Sequence, residues 1–234
     1  MEGKASGRRE CGSEYGAAVL KAGYTLLPTF ADIFNLNNEA NSELIWTLPY
    51  IVNENVTPGT SPNFFAYYLA PNGDRTRLRE AGYTEDEVPA GSHAQYVVPT
   101  QAYCDFLAED ARDTRTDVSV RVFEDKFLTE EVQIKRMVVK FKGSFANDTR
   151  SFDSDVPVYR LAEAYLLKAE VENALGNTDA ALQNLNVVAK RAYGVDNYYT
   201  ARTQDAIDNA IISEILKEFV AESKAWWAYL RFNK

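Results

Sequence analysis

The stretch that most constrains the fold is VPVYRLAEAYLLKAEVENALGNTDAALQNLNVVAKRAYG, residues 156–194. In its first half Ala162, Tyr165, Leu166 and Ala169 recur at i, i+3, i+4 and i+7. In its second half Ala181, Leu185, Val188, Ala189 and Ala192 recur at i, i+4, i+7, i+8 and i+11. Each spacing puts an apolar stripe on one face of a helix. Gly176 interrupts the pattern between them, and Asn177 or Thr178 can cap the second helix. Alanines in both stripes let two backbones approach closely, which is the physics of a tetratricopeptide-like αα-hairpin. One hairpin cannot bury both of its faces, so further helices must stack on it. From Val156 the chain reads as helical to its end. A last helix over about residues 203–229 turns Ile207, Ile211, Ile215, Phe219 and Trp226 inward.

Upstream the pattern changes. Residues 1–13 are polar and Gly-rich and read as a disordered tail. Residues 14–24 have helical spacing and stop at a glycine, and 27–35 form a helical turn after Pro28. ELIWTLPY (43–50) reads as a strand with Trp46 in the core. Residues 52–99 hold five of the eight prolines and show little periodicity, and long irregular segments of this kind tend to carry function. TQAYCDFLAEDARDTR (100–115) reads as a capped helix with an acidic second half, and 117–123 and 133–142 as paired strands. The expected fold class is therefore mainly α, a tetratricopeptide-like αα-hairpin superhelix with a small β or irregular insert. The expected organisation is one domain over 14–234, with 52–155 facing ligand and 156–234 as helical frame.

Charge and motifs exclude several functions. The formal net charge of -9 repels phosphates and anionic lipid, so no nucleic acid is expected as a partner. Cys11 and Cys104 stand outside any CxxC or Cys/His cluster, and His93 is a lone histidine in a polar segment, so no metal is expected. No P-loop, GxGxxG, GxSxG or HExxH occurs, so no cofactor is expected. No apolar run reaches the ~18–20 residues of a membrane helix, and the first residues lack the apolar core of a signal peptide. NLNNEANSE (35–43) lacks the spacing of a calcium loop and reads as a plain turn.

Two groups of residues are candidates for chemistry. Flat aromatic faces cover the C–H surfaces of sugars, while amide, carboxylate and guanidinium groups bond their hydroxyls. Phe64, Tyr67, Tyr68, Asn72, Asp74 and Arg75 supply both kinds within twelve residues, together with Phe65. Four aromatics around one alanine also suit a buried strand, and both readings stay open. Glu214, Glu218 and Glu222 lie four apart, so on one helix they share a face. If buried they need cations, and Arg160, Lys168 and Arg191 are the candidates. Trp226 and Trp227 point to different sides of a helix, one toward the core and the other toward a neighbouring element.

Three segments carry a family resemblance. AGYTLLPTFADIFNLNNEANSELIWTLPY resembles the stretch of RagB/SusD-family proteins in which Y-x-L-x-x-x-[YF]-x-x-[LI]-F precedes E-x-I-[WF]. The hairpin resembles their P-x-x-R-x-A-E-x-x-L-x-x-A-E-A followed by A-x-x-x-[LI]-N-x-[IV]-R-x-R-A. IISEILKEFVAESKAWWAYLRFNK resembles I-L-x-E-R-x-x-E-[LF]-x-x-E-G-x-R-[WF]-x-D-L-x-R, with Ile215, Ser223, Ala225 and Ala228 where the family has Arg, Gly, Arg and Asp. The segments cover roughly residues 20–50, 95–115 and 155–234. On this resemblance the chain is a partial or diverged copy. Cys11 follows GRRE, which is no lipobox.

The resemblance implies a non-catalytic, lipid-anchored protein on the outer membrane of Bacteroidetes-type bacteria, facing outward. It would bind oligosaccharide or another nutrient for a TonB-dependent, SusC-like transporter. A tetratricopeptide-like scaffold for protein–protein interaction is the alternative, and a glycoside hydrolase a weaker one.

Overall fold

The computed structural model describes residues 12–58, 75–89, 97–125 and 132–233. In chain order the elements are α1 (12–20), β1 (Leu44–Leu48), α2 (Arg75–Glu80), α3 (Gln101–Leu107), α4 (Thr116–Ser119), β2 (Val120–Asp125), β3 (Gln133–Val138), β4 (Ser144–Ala146), β5 (Thr149–Ser151), β6 (Val156–Arg160), α5 (Leu161–Ala174), α6 (Thr178–Tyr193), α7 (Gln204–Glu218) and α8 (Ala225–Phe232). Turns of 3-10 helix lie at Ala31–Phe34 and Leu36–Asn38. The fold is mostly helical with a few short strands. Its backbone clusters into two units, Met1–Ile33 with Ala40–Trp46 and Pro157–Lys234, and Phe34–Glu39 with Thr47–Val156.

The first unit is built on the hairpin of α5 and α6. The predicted stripes are the buried ones. Ala162, Leu166, Ala169, Ala181, Leu185, Val188, Ile207, Ile211, Ile215 and Phe219 form one core cluster, with Tyr165 packed against it. α5 packs on both α6 and α7, and α8 on α7. Each buried Leu or Ile contributes roughly 1.5–3 kcal/mol by leaving water. Gly176 makes the turn at φ +82°, a conformation that suits glycine. Just before the turn, Glu172 accepts from Lys168 Nζ at 2.6 Å, Ser13 Oγ at 2.6 Å and Asn177 Nδ2 at 2.8 Å. Burial opposes its charge, yet these three donors hold the carboxyl at about 2. Lys168 thus serves Glu172. Gly12 and Ser13 already lie in α1; the rest of the expected tail, 1–11, lies outside the described residues.

A buried ion cluster ties this unit together. Arg160 Nε donates to Glu222 Oε2 at 2.8 Å, and Nη1 contacts Glu218 Oε1 at 2.5 Å and Glu43 Oε1 at 3.1 Å. Its Nη2 reaches the Glu218 carbonyl at 2.7 Å and Glu222 Oε1 at 3.0 Å. Arg191 donates to Glu43 Oε2 at 2.5 Å and also to Glu218 Oε1. Glu43 further accepts from the Leu27 backbone N–H at 3.0 Å. Arg160 is 1% exposed, and Glu43 and Glu218 are 0%. Its guanidinium lies 4.3 Å from the Phe219 ring centroid. Burial works against the charge of Arg160, but Glu222, Glu218 and Glu43 prevail and hold its proton more tightly than usual. The ion-pair reading of Glu218 and Glu222 therefore holds, with two of the three expected cations. Glu214 is also buried, and accepts from Tyr199 Oη at 2.8 Å and Tyr193 Oη at 3.1 Å.

Three expectations fail here. Val156–Arg160 is a strand paired with β1, and the helix starts only at Leu161. Leu161 N–H donates to the Glu43 carbonyl at 2.9 Å, so the strand pairing runs straight into the helix start. The last helix is two helices, because Ala221 and Ser223 adopt left-handed φ of 59° and 60° between α7 and α8. Glu222 therefore reaches Arg160 from a turn and not from a shared helical face. Trp226 and Trp227 are both exposed, at 67% and 59%, while Ala228 is buried in their helix. A side chain at left-handed φ costs about 1–2 kcal/mol against glycine's freedom there. Ser223→Gly is expected to stabilise the unit by about 0.5–1 kcal/mol, read as a raised melting temperature.

The second unit is loop-rich. Antiparallel β2–β3 pairs Val120 with Val138 and Asp125 with Gln133, and β4–β5 pairs Ser144 with Ser151. Leu78, Val88, Phe123, Met137 and Val139 form its core cluster, with Tyr83 packed against it. Thr100 caps α3 by accepting from the Tyr103 N–H, as the sequence leads one to expect. The acidic half does not continue the helix. Asp110 and Asp113 each accept from the backbone N–H two residues on, at 3.0 Å, and local bonds of this kind compete with helix. Asp113 and Arg115 form a fully buried bidentate pair, at 2.8 and 2.7 Å. Residues 117–119 belong to α4, so β2 begins at Val120. Cys104 is a free, buried thiol whose ionisation burial pushes up, against the pull of Arg136.

Glu39 gives this unit a pH response. Its Oε1 accepts from the Asp155 N–H at 3.0 Å. Burial raises its carboxyl from 4.5 to about 7, and the charges of Asp155 and Asp153 add to the rise against that hydrogen bond. A folded value above the unfolded one means protonation favours the fold. The contribution is complete below 4.5 and disappears as pH climbs through about 7. Melting temperatures measured across this window are expected to fall with pH, and to fall less in Glu39→Gln.

Candidate functional site

Five of the predicted ligand residues, Phe64, Tyr67, Tyr68, Asn72 and Asp74, lie outside the described residues, as do Phe65 and His93. Arg75 is the first residue of α2. Its guanidinium carbon lies 5.4 Å from the centroid of Phe145 on β4. Arg79 and Arg150 approach the same ring at 5.6 and 5.3 Å. Carboxylates balance two of these cations. Arg79 donates to Asp148 at 2.7 Å and to Glu85 at 3.1 Å, and Arg150 to Glu85 at 3.2 Å. Burial lowers the proton affinity of Arg150, with Glu85 opposing. The Asp148 hydrogen bond raises that of Arg79. The sequence brings out Arg75 but neither Phe145 nor its two other arginines, which come from separate elements. Tyr83, another ring of the 52–99 segment, is core. It meets Phe123 edge-on at 5.8 Å and accepts from the Glu124 N–H.

A second aromatic feature lies in the first unit. Trp46 on β1 and Tyr159 on β6 sit side by side, ring centroids 6.0 Å apart and planes inclined by 32°. They are 55% and 51% exposed. The expected core position of Trp46 is therefore wrong. Glu43 and Arg160 turn into the ion cluster, whereas Trp46 and Tyr159 point outward from the strand pair. Lys224 Nζ stands 4.5 Å from the Tyr159 centroid, anchored on the Val158 carbonyl and Glu163 at 2.7 Å each. Burial pushes the Glu163 carboxyl up, and Lys224 pulls it back. Two inclined, half-exposed rings on a hydrogen-bonded strand pair, with a cation seated over the Tyr159 ring, make a rigid aromatic surface of the kind that stacks on a pyranose. Tyr159 could have been found from the sequence had VPVYR been read as a strand, with Tyr159 outward between Val158 and Arg160. Among the described residues, no group of three or more His, Cys, Asp or Glu is arranged to hold a metal ion.

The sequence profile of the SusD family matches residues 124–234. A curated relative, SusD-like protein P25 of Formosa agariphila, is 27% identical over 92% of this chain and 44% of its own length. A crystal structure of a SusD superfamily protein from Bacteroides fragilis superposes with a TM-score of 0.71 at 26% identity, covering 92% of this chain and 46% of that one. Over most of its length the chain is similar to SusD-like proteins, and its second half matches the SusD family itself. The fold is also similar to surface glycan-binding protein A from Bacteroides uniformis, with a TM-score of 0.67 at 22% identity over 96% of this chain and 45% of that one. The chain thus spans less than half the length of the curated SusD-like relative it matches. The family profile covers β3 through α8, the part that holds the hairpin, Tyr159 and most of the ion cluster.

Proposed function

We propose that this SusD-like chain acts in a non-catalytic protein at the cell surface that binds oligosaccharide. It would pass the ligand to a TonB-dependent, SusC-like transporter of the outer membrane. The observation that carries the binding half is the exposed Trp46–Tyr159 pair on rigid backbone. A relative named as a surface glycan-binding protein, with the same fold, supports the same reading. The binding role is also favoured by the fate of the acidic residues. Glu43, Glu218 and Glu222 are buried on guanidinium groups, whereas glycosidic catalysis needs two carboxyls facing each other across an open cleft. Among the described residues no helix is long and apolar enough to cross a membrane.

Affinity electrophoresis through gels containing different polysaccharides tests the binding half. Wild-type protein is expected to be retarded by at least one glycan. Trp46→Ala/Tyr159→Ala should lose at least tenfold in affinity at unchanged melting temperature, since each stacked ring contributes about 0.5–1.5 kcal/mol beyond its area. Tyr67→Ala/Tyr68→Ala assays the 52–99 segment in the same gels. Free migration of wild type through every glycan overturns the reading. Co-purification with an outer-membrane transporter tests the delivery half.

The scaffold alternative draws on α8, where Trp226, Trp227 and Leu230 are 67%, 59% and 54% exposed. Under it, Trp226→Ala/Trp227→Ala abolishes capture of a protein partner and leaves glycan retardation intact.

A further inference from the structure

We propose that the recess between α6 and the loop 194–203 is a small binding site for one neutral sugar residue, separate from the Trp46–Tyr159 face. The recess is an open depression of about 410 Å³, within the ~300–1,000 Å³ of small-molecule pockets. Its walls are held in place from behind. The Asn186 side chain donates to the Tyr199 carbonyl at 2.9 Å and accepts from the Tyr199 N–H at 2.8 Å, pinning the loop to the helix. Tyr198 lies flat on Tyr193, centroids 3.8 Å apart and planes 3° apart, and Tyr199 Oη donates to Glu214. A loop fixed in this way gives up little conformational entropy when a ligand enters.

The groups facing the recess set the ligand class. Gln183, Asn197 and Thr200 line it, and among the described residues their side chains hold no hydrogen bond. Amides and a hydroxyl both donate and accept, which matches the two-way hydrogen bonding of sugar hydroxyls. Asn197 sits at a left-handed φ of 54°, a turn conformation that asparagine accepts readily. The charges cancel. Lys190 pairs with Asp196 at 2.7 Å and Arg202 with Asp179 at 2.5 Å, all four side chains being more than half exposed. No net charge remains to select a phosphate or a carboxylate. Leu182 and Val187 supply apolar surface for the C–H side of a ring.

Saturation-transfer NMR on the intact chain provides the test, with D-glucose, D-galactose, D-mannose and N-acetylglucosamine as neutral probes and D-glucuronate as charged control. At least one neutral sugar is expected to bind, with a dissociation constant on the order of millimolar, as suits a ligand of a dozen heavy atoms. Gln183→Ala/Asn197→Gly should weaken that binding at least tenfold at unchanged melting temperature, since glycine accepts the loop conformation. Trp46→Ala/Tyr159→Ala should leave it unchanged, which separates this site from the polysaccharide face. No transfer to any neutral sugar, transfer undiminished in the recess variant, or stronger binding of glucuronate would each overturn the proposal.

Discussion

Arg160→Met is expected to cost about 3–5 kcal/mol, the usual penalty for removing one partner from a buried ion pair. The side chain is 1% exposed and contacts three carboxylates, those of Glu43, Glu218 and Glu222. Methionine fills a similar volume, so the loss is electrostatic and not a cavity. The cluster goes from three carboxylates facing two guanidinium groups to three facing Arg191 alone. Three carboxylates closed off from water then share a single cation. That predicts a signature a packing defect lacks. The variant recovers stability as pH falls toward the ordinary carboxyl range of about 4, because protonation removes the mismatch. Urea denaturation at several pH values reads both effects. A midpoint equal to wild type at neutral pH would show that the cluster is dispensable.

Gly143→Ala is expected to destabilise the second unit by about 2–4 kcal/mol. Gly143 has φ +65°, and a Cβ there would lie 2.0 Å from the Ser151 carbonyl oxygen and 3.1 Å from the Phe152 Cα. Left-handed backbone alone costs alanine about 1–2 kcal/mol, and forced repacking adds a similar amount. The neighbouring atoms are backbone and cannot rotate aside. The Gly143 N–H donates to Ser154 Oγ at 3.0 Å, and Arg150 Nη1 reaches the Lys142 carbonyl at 2.6 Å and the Gly143 carbonyl at 3.3 Å. A displaced Gly143 therefore disturbs Arg150 and, through it, the Phe145 ring. Amide exchange is expected to accelerate across β4 and β5, while the α5–α6 hairpin keeps its protection.

The hairpin was legible in the sequence because its signal is periodic: a stripe from Ala162 to Ala192 survives any detail of the caps. The cations of the ion cluster were half legible. Buried acids need partners, and the sequence offers few arginines near the hairpin, but Glu43 comes from the turn just before β1, far away in sequence, and has no local mark. The break after Glu218 was illegible because the residues that turn the chain, Ala221 and Ser223, are neither Gly nor Pro. Trp46 was misread for a general reason. A short apolar run such as LIW gives no phase when only one residue of it is large, so which face it shows is decided by the partner strand. Residues 108–115 look helical by composition. Asp110 and Asp113 capture nearby N–H groups instead, which composition does not reveal. The recess at 194–203 could not be foreseen, since its walls join a helix to a loop through one asparagine side chain.

The sealed position of Cys104 equips the second unit with a kinetic clock. A thiol that is 4% exposed, and whose thiolate burial disfavours, reacts with an electrophilic dye only when its surroundings open. In a Cys11→Ser background the labelling rate reports openings that expose Cys104 on α3. Running the labelling reaction with and without glycan would reveal whether occupancy slows that breathing, without any need to know where the sugar sits.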